Sequence, residues 1–347
     1  MSTTTASEWY EVRASPDKGL GAFAKTSIPS GTLVLADPPH LMLTIDQLRI
    51  TEADLTVALS SLSTEQKEAF HALSAPPTHY SSDAVRKFLA NCMSPAALPG
   101  TTCLCLNIAR FNHSCLPNAE VSYNPFSHTF DLYAVRDIAP DEEIMWCYLP
   151  GSSCMPRSYR QFLQFLNWRF LCNCAACQTS SSAEESQSDR RRTRMYALRQ
   201  KLEGFELGRL GPGTIEQRSI PLDAWGPGEL EKTLQELWRP PQELPKDLQR
   251  DLDVEVQLRL WHELLQLLIE EGLGGKELAV IYLRLVETAL AEPNYADTHQ
   301  DQVEEWMELT MHHIRASRPA NGPDVEAFEK IYTAWLLRLE DHSPITT

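Results

Sequence analysis

Three cysteines stand in one short run, Cys172-Asn173-Cys174-Ala175-Ala176-Cys177. Thiols this close cannot easily pair as disulfides, but they can converge on one tetrahedral ion. A structural zinc takes four ligands, so one is missing from the local run; the other reading is thiols with no metal. Lys18-Gly19-Leu20-Gly21 puts two glycines in a turn between strand-like segments. There the backbone either approaches a ligand closely or simply reverses direction. The third glycine and following helix of a dinucleotide fingerprint are absent. Asn112-His113-Ser114-Cys115-Leu116-Pro117-Asn118 is a polar run closed by proline and asparagine, a loop and not core. Taken alone, His113 reads as a structural histidine more readily than a catalytic one. Asp141-Glu142-Glu143-Ile144-Met145-Trp146-Cys147-Tyr148 ends an apolar strand in a tyrosine, most simply an interior aromatic.

The elements that must position these residues alternate between strand and helix. Trp9 to Leu43 reads as short strands broken by turn signals, with Ser30-Gly31 introducing Thr32-Leu33-Val34-Leu35. From Thr51 to about Ala97 the pattern is helical, with Asp54, Leu55, Ala58 and Leu59 spaced by turns. Strands return over about Leu104 to Tyr148, most clearly at Thr129 to Val135, and a helix is expected at Arg157 to Trp168. Residues 179–189, rich in Ser, Glu and Gln and without aromatics, read as a solvated linker. Beyond it come four apolar stripes at helical spacing. They are Leu252, Val256, Leu260, Leu264, Leu265, Leu268; then Leu278, Ile281, Tyr282, Leu285, Val286, Leu290; then Val303, Trp306, Met307, Met311, Ile314; then Phe328, Ile331, Tyr332, Trp335, Leu336. Successive amphipathic helices joined by Gly/Pro turns suggest helix pairs stacked as a superhelix, tetratricopeptide-like in shape only. Arg190-Arg191-Arg192 is expected to be a solvated helix start, with a targeting patch as the alternative. His262 and the pair His312-His313 are read as ordinary helix residues, without chelate spacing.

The chain of 347 residues is long enough for two cores, and its net charge of -16 disfavours direct binding to a phosphate backbone. A basic peptide would be drawn to such a surface. Nine cysteines, with no secretory signal visible at the start, point to reduced thiols and an intracellular setting, cytoplasmic or nuclear. No apolar run reaches the roughly 20 residues that a membrane helix needs.

Together and in this order, the glycine turn, the polar loop, the tyrosine strand and the cysteine run resemble the SET domain of protein lysine methyltransferases, over about Glu8 to Gln178. The resemblance implies an α+β fold: a SET-type β-clip domain with a helical insert and a post-SET zinc site, followed by an all-α, tetratricopeptide-like C-terminal domain. The expected divisions are 1–50 and 101–150 for the two SET parts, 51–100 for the insert, 151–178 for the zinc segment, 179–189 for the linker and 190–347 for the helical domain. It implies that Lys18, Gly19, Leu20 and Gly21 lie beside S-adenosylmethionine and that Asn112 and His113 hold it. Tyr148 would be the catalytic tyrosine and touch the cofactor, and Phe170 would pack on the adenine. Cys115 would join Cys172, Cys174 and Cys177 as the fourth ligand of a structural zinc.

The SET-and-MYND branch is the closer match. Cys147-Tyr148-Leu149, the Arg157/Arg160-Gln161 helix, Asn91-Cys92 in the insert and a helical C-terminal domain are similar to it, and Asn91 would contact the cofactor. Two departures stand out. Leu43 to Val85 has no Cys/His array for a MYND finger, and Trp168 stands where the branch has a tyrosine lining the substrate channel. The implied activity is transfer of a methyl group from S-adenosylmethionine to a lysine amine of a protein or peptide. The protein is expected to act as a monomer without nucleic acid or membrane. The alternatives are a SET scaffold repurposed for a small molecule, by methyl transfer or cyclase-like chemistry, and a non-catalytic interaction protein.

Overall fold

The computed structural model describes residues 7–16, 18–45, 49–76, 82–95, 97–149, 151–178, 187–204, 244–249, 251–318 and 323–342. Eight strands of the described residues fall in the first half: β1 (Tyr10–Ser15), β2 (Gly19–Ala24), β3 (Leu33–Asp37), β4 (Leu41–Leu43), β5 (Thr102–Leu104), β6 (Ala119–Asn124), β7 (Thr129–Ala134) and β8 (Glu143–Ile144). They form three small sheets, ordered β1-β2-β8, β3-β7-β6 and β4-β5. β1 and β2 close a hairpin from Tyr10↔Ala24 to Ser15↔Gly19, and Gly19 takes a positive φ of 79° that an L side chain rarely adopts. The alternation expected at Thr129 to Val135 is β7, the central strand of its sheet.

Between β4 and β5 lie the helices α1 (Glu52–Ser60), α2 (Thr64–His71) and α3 (Asp83–Asn91). The first two are too short to persist on propensity alone. Each opens on a reciprocal capping box, Thr51 with Asp54 and Ser63 with Gln66, and each buries one large side chain, Leu55 and Phe70. Those side chains share a separate core with Leu41, Phe88 and Leu104. α4 covers Arg157–Trp168, the bounds the apolar periodicity suggests.

The second half is helical: α5 (Gln187–Glu203), α6 (Val254–Glu270), α7 (Lys276–Leu290), α8 (Pro293–Thr298), α9 (Gln300–Arg315) and α10 (Pro323–His342). α6 packs on α5 and α7, α7 on α9, and α9 on α10, around one apolar core. Three of the four stripes are buried or packed against that core; in the fourth, Phe328 and Trp335 are buried but Ile331 and Leu336 are exposed. Two expectations are corrected. Of the linker, 179–186 lie outside the described residues, and 187–189 are already the first turn of α5. Of Arg190-Arg191-Arg192, only Arg190 is exposed; Arg192 is fully buried, because a carboxylate remote in sequence, Glu271, receives it. No helix among the described residues is long and apolar enough to cross a membrane.

The helical half presses on the sheets. The N–H of Lys276 donates to Glu120 on β6 at 2.9 Å, and Arg318 stands 3.6 Å from the same carboxylate. Burial pushes the Glu120 carboxyl up, against the pull of Arg318 and Lys276. A Cβ on Gly275 would lie 2.7 Å from Glu120 Oε2 and from Val135 Cγ1, so only glycine fits there.

Candidate active site and cysteine cluster

Asp37, at the end of β3, is buried and accepts from the backbone N–H groups of Asn107 and Ile108, each at 3.0 Å, and from the Asn107 side chain at 2.9 Å. These bonds fix the turn that delivers Phe111 and Asn112. From there the polar loop runs beside the segment after β8. Trp146 N–H donates to Asn112 O, Ser114 N–H to Trp146 O and Asn118 N–H to Met145 O, at 3.0–3.1 Å. Asn118 is buried and ties the two together, accepting from Met145 N–H at 2.7 Å and donating to Glu143 O at 2.8 Å. The backbone itself therefore places His113 next to Tyr148.

One end of this arrangement is the glycine turn. Asn112 Nδ2 donates to Leu20 O at 3.0 Å and to Glu143 Oε1 at 2.7 Å, and Lys18 Nζ meets Glu143 Oε2 at 3.1 Å. A Cβ on Gly21 would fall 2.4 Å from Glu143 Oε1 and 2.9 Å from Asn112 Nδ2, whereas one on Gly19 would meet open space. Gly21 thus permits close packing and Gly19 permits the turn. Two buried donors in this neighbourhood, Ser15 Oγ beside Gly21 and Trp146 Nε1 beside Tyr148, have no hydrogen-bond partner among the described residues. Buried polar groups are seldom left so, and such donors suit a bound ligand.

The other end is the cysteine cluster. α4 stops at Arg169, whose left-handed backbone (φ 61°) turns the chain back so that Phe170 to Cys177 returns over the polar loop. The sulfurs of Cys115, Cys172, Cys174 and Cys177 are all buried and lie within 4.8 Å of one another, with Cys115 to Cys172 at 3.9 Å and to Cys177 at 3.6 Å. Four sulfurs bound tetrahedrally at about 2.3 Å from one zinc would stand roughly 3.8 Å apart, so the donor set fits that ion. Hydrogen bonds from the other three thiols hold Cys174 far below the usual thiol range, while the same contacts push Cys115 up. Backbone and guanidinium N–H groups also point at the sulfurs: Cys115 N–H at Cys174 and Arg160 Nη2 at Cys177, each 3.4 Å.

His113 joins the two ends. Burial pushes its imidazole down to about 4, so the ring is neutral near pH 7. The Tyr148 backbone N–H donates to Nδ1 at 3.1 Å, which leaves the single ring proton on Nε2. Nε2 lies 3.3 Å from Cys115 Sγ and 3.1 Å from the Gln164 side-chain amide. Half a rotation of that amide sets its oxygen, otherwise buried without a partner, onto the Nε2 proton.

Tyr148 donates its hydroxyl proton to Phe111 O at 3.0 Å. Burial, with Glu143 adding, pushes the phenol far above its ordinary range, so it stays neutral. Its ring is flanked by His113 at 5.2 Å, Trp146 at 5.1 Å and Trp168 at 5.2 Å. Trp168 donates its indole N–H to Ala90 O at 2.9 Å, which docks the end of α4 on the end of α3. Phe170 stands 6.0 Å from the His113 ring and packs on the cysteines.

Lys18 and Gly21 therefore gather with Asn112, and His113, Tyr148, Trp168, Phe170 and the four cysteines gather into one contiguous site. Asn91 is set back: its amide donates to Ser74 O and Lys87 O, while its neighbour Ala90 accepts from Trp168. The partners of three residues escape a linear reading. Glu143 binds both Lys18 and Asn112, while Arg160 and Gln164 reach the cluster from α4. The signal for the last two is polar residues at i and i+4 on an otherwise apolar helix face; Arg160 and Gln164 are both fully buried.

Residues 19–149 match the family model described as the SET domain. The chain is 31% identical over 188 residues to "Histone-lysine N-methyltransferase set5" of Schizosaccharomyces pombe, covering 54% of this chain and 56% of that protein. It is 39% identical over 69 residues to "Protein-lysine N-trimethyltransferase SMYD5" of Danio rerio, covering 19% of this chain and 16% of that one. Similarity to human "Protein-lysine N-methyltransferase SMYD4" is 38% over 74 residues, 21% of this chain and 9% of the relative. The chain thus spans about half the length of the first of these relatives and shorter stretches of the others. The matched segment runs from the glycine turn through Tyr148, the span over which the contacts above are made: residues 19–149 match the SET domain, and the chain is similar there to proteins named as histone-lysine and protein-lysine methyltransferases, SMYD members among them.

Proposed function

We propose that this protein is an S-adenosylmethionine-dependent methyltransferase acting on a lysine amine of a protein, histone or non-histone. The observation that carries the reading is the neutral, buried His113 bridging Cys115 Sγ to the backbone of Tyr148, within a SET domain. Lys18, Gly19, Leu20, Gly21, Asn112, His113, Tyr148 and Phe170 would hold the methyl donor, with Asn91 at the periphery. The unpartnered Ser15 Oγ and Trp146 Nε1 support a ligand there. When bound, that donor supplies an electrophilic methyl group on a sulfonium.

The protein's own residues prepare the amine. A free lysine has a pKa of about 10.4 and is largely protonated near neutral pH. An aromatic wall of Trp146, Tyr148 and Trp168 excludes water and favours the neutral, nucleophilic form. With its proton committed to Phe111 O, the Tyr148 hydroxyl keeps its oxygen lone pairs for the amine N–H. Trp168 has spent its only polar group on Ala90, so it offers the channel an apolar face that suits a lysine stem. The four cysteines would hold a structural zinc with no open position. The stacked helices would serve as a tetratricopeptide-like scaffold, and the acidic charge balance suits a basic substrate segment. A histone substrate places the activity in the nucleus, as the relatives' names suggest; a non-histone substrate extends it to the cytoplasm.

Gly21→Ala is expected to weaken methyl-donor binding about 10-fold or more, because the added methyl forces about 1–3 kcal/mol of repacking onto Glu143 and Asn112. Titration calorimetry with the donor checks it. The reading as a whole is tested by incubating the protein with methyl-labelled S-adenosylmethionine and an array of lysine peptides. Label on lysine is the expected result. Donor bound with no peptide labelled would redirect the proposal to a small-molecule acceptor, and no donor binding would sink it.

A further inference from the structure

Arg192 is one of the two largest fully buried side chains in the described protein, and it comes from the helical half. Its Nε meets Glu271 Oε2 at 2.8 Å and Ser188 Oγ at 3.3 Å. Its Nη1 donates in the other direction, to Cys115 O at 3.3 Å and to Ser153 O. Those two carbonyls belong to different segments of the site. Cys115 lies two residues past His113, and Ser153 sits in the single turn Ser152–Cys154, five residues past Tyr148. The same turn is fastened to Tyr148's neighbours, with Ser152 N–H on Leu149 O at 3.0 Å and Cys147 Sγ 3.4 Å from Ser152 Oγ. Glu271 in turn caps the end of α6, is gripped by Arg191 at 2.5 Å and Ser188 at 2.6 Å, and begins the turn that presses on β6.

We propose that Arg192 is a positioning residue, supplied by the helical half, which holds the His113 turn and the segment after Tyr148 in mutual register. A plain buried ion pair is a poor account of it. Burying two charges rarely adds net stability over apolar packing, and Glu271 already has Arg191 and Ser188. What Arg192 alone supplies is one planar guanidinium with Nε on a fixed carboxylate and Nη1 on two backbone carbonyls, a geometry lysine cannot reproduce. The helical half is then part of the active-site frame, and a partner that shifts the α6–α7 turn would shift the alignment of His113 and Tyr148.

This inference rests on the methyltransferase reading for its catalytic part only. Arg192→Met and Arg192→Lys are prepared in the full chain. Turnover, KM for both substrates and the rate of metal release to a chromogenic chelator are then measured beside thermal stability. Both variants are expected to lose about 10- to 100-fold in kcat, the size of effect that small misplacements of reacting groups produce, with KM for the peptide changed less than about 3-fold. Metal release is expected to accelerate because Cys115 loses its backbone anchor. Methylguanidinium at millimolar concentration is expected to restore part of the turnover of Arg192→Ala. Folded variants with unchanged kcat and metal release, whatever their melting temperature, would overturn the proposal. Should Arg192→Met fail to fold, Glu271→Gln decides in its place: it keeps the volume but turns one of the two oxygens that accept from Arg191, Arg192 and Ser188 into a donor, so the anchor of Arg192 is weakened, and unchanged kcat and metal release there overturn the proposal equally. Wild-type protein that transfers no methyl group defeats the enzymatic reading, while the metal-release comparison still decides the role of Arg192.

Discussion

Replacing Tyr148 by phenylalanine is expected to lower kcat for methyl transfer about 100-fold, the scale on which losing one positioned polar group at a reacting centre is felt, while methyl-donor affinity changes little. The ring should stay where it is, because His113, Trp146 and Trp168 pack around it at 5.1–5.2 Å. The backbone N–H of residue 148 keeps its bond to His113 Nδ1 as well. Only the hydroxyl is lost, and with it the acceptor that orients the amine; Phe111 O, left without a donor, adds about 1–3 kcal/mol of destabilisation. Stopped single-turnover assays, with donor affinity from calorimetry, separate the two effects. Turnover within about 3-fold of wild type would remove Tyr148 from the mechanism. Because burial raises the phenol far above its ordinary range, the group remains neutral as pH rises through the assay range. An alkaline fall in rate therefore belongs to another group.

Removal of the metal assigned to the four cysteines is expected to abolish donor binding and lower the melting temperature. Cys115 and the Cys172 to Cys177 segment come from opposite sides of Tyr148 in sequence, and the metal would be their joint anchor. Without it, Phe170 loses its seat against His113 and the Arg160 bond to Cys177 loses its purpose. Structural zinc in small domains contributes about 10–16 kcal/mol of binding energy, more than a typical domain's whole stability. Cys174→Ser, or chelation followed by calorimetry and metal analysis, checks this. Bound ligand thiols have given up their protons, so metal affinity should fall as pH is lowered. A metal-free protein with undiminished donor affinity and unchanged melting would defeat the assignment.

What could be read from the chain depended on how local the cause was. α4 was legible to the residue because its buried face repeats every three to four positions; β7 was legible from apolar residues alternating in the sequence, although the folded strand buries both faces from Phe130 to Ala134. Cysteine spacing alone pointed to a metal, but which fourth residue completes the set required the resemblance, since Cys115 is 57 residues from Cys172. Arg192 was misread for the converse reason. A run of three arginines looks solvated to any local measure, and its partner Glu271 is 79 residues away. Asn91 shows what a motif leaves open: its amide nitrogen is engaged with Ser74 O and Lys87 O, while the neighbouring Ala90 O accepts from Trp168. Asp37 carries no spacing signal at all, and for Glu143 and Gln164 only the folded chain shows what they join.

The contact of Lys276 with Glu120 spans 156 residues of sequence. On a ribosome adding about 5–20 residues per second, β6 therefore waits roughly 8–30 s for the turn that covers it. Through that interval the nascent SET half displays an unroofed carboxylate, the bare Val135 edge and a cysteine turn whose arginine strut has only lately emerged. Its birth is thus in two acts, with the second supplying the brace for the first, and the interval between them is when chaperones have the most to shield.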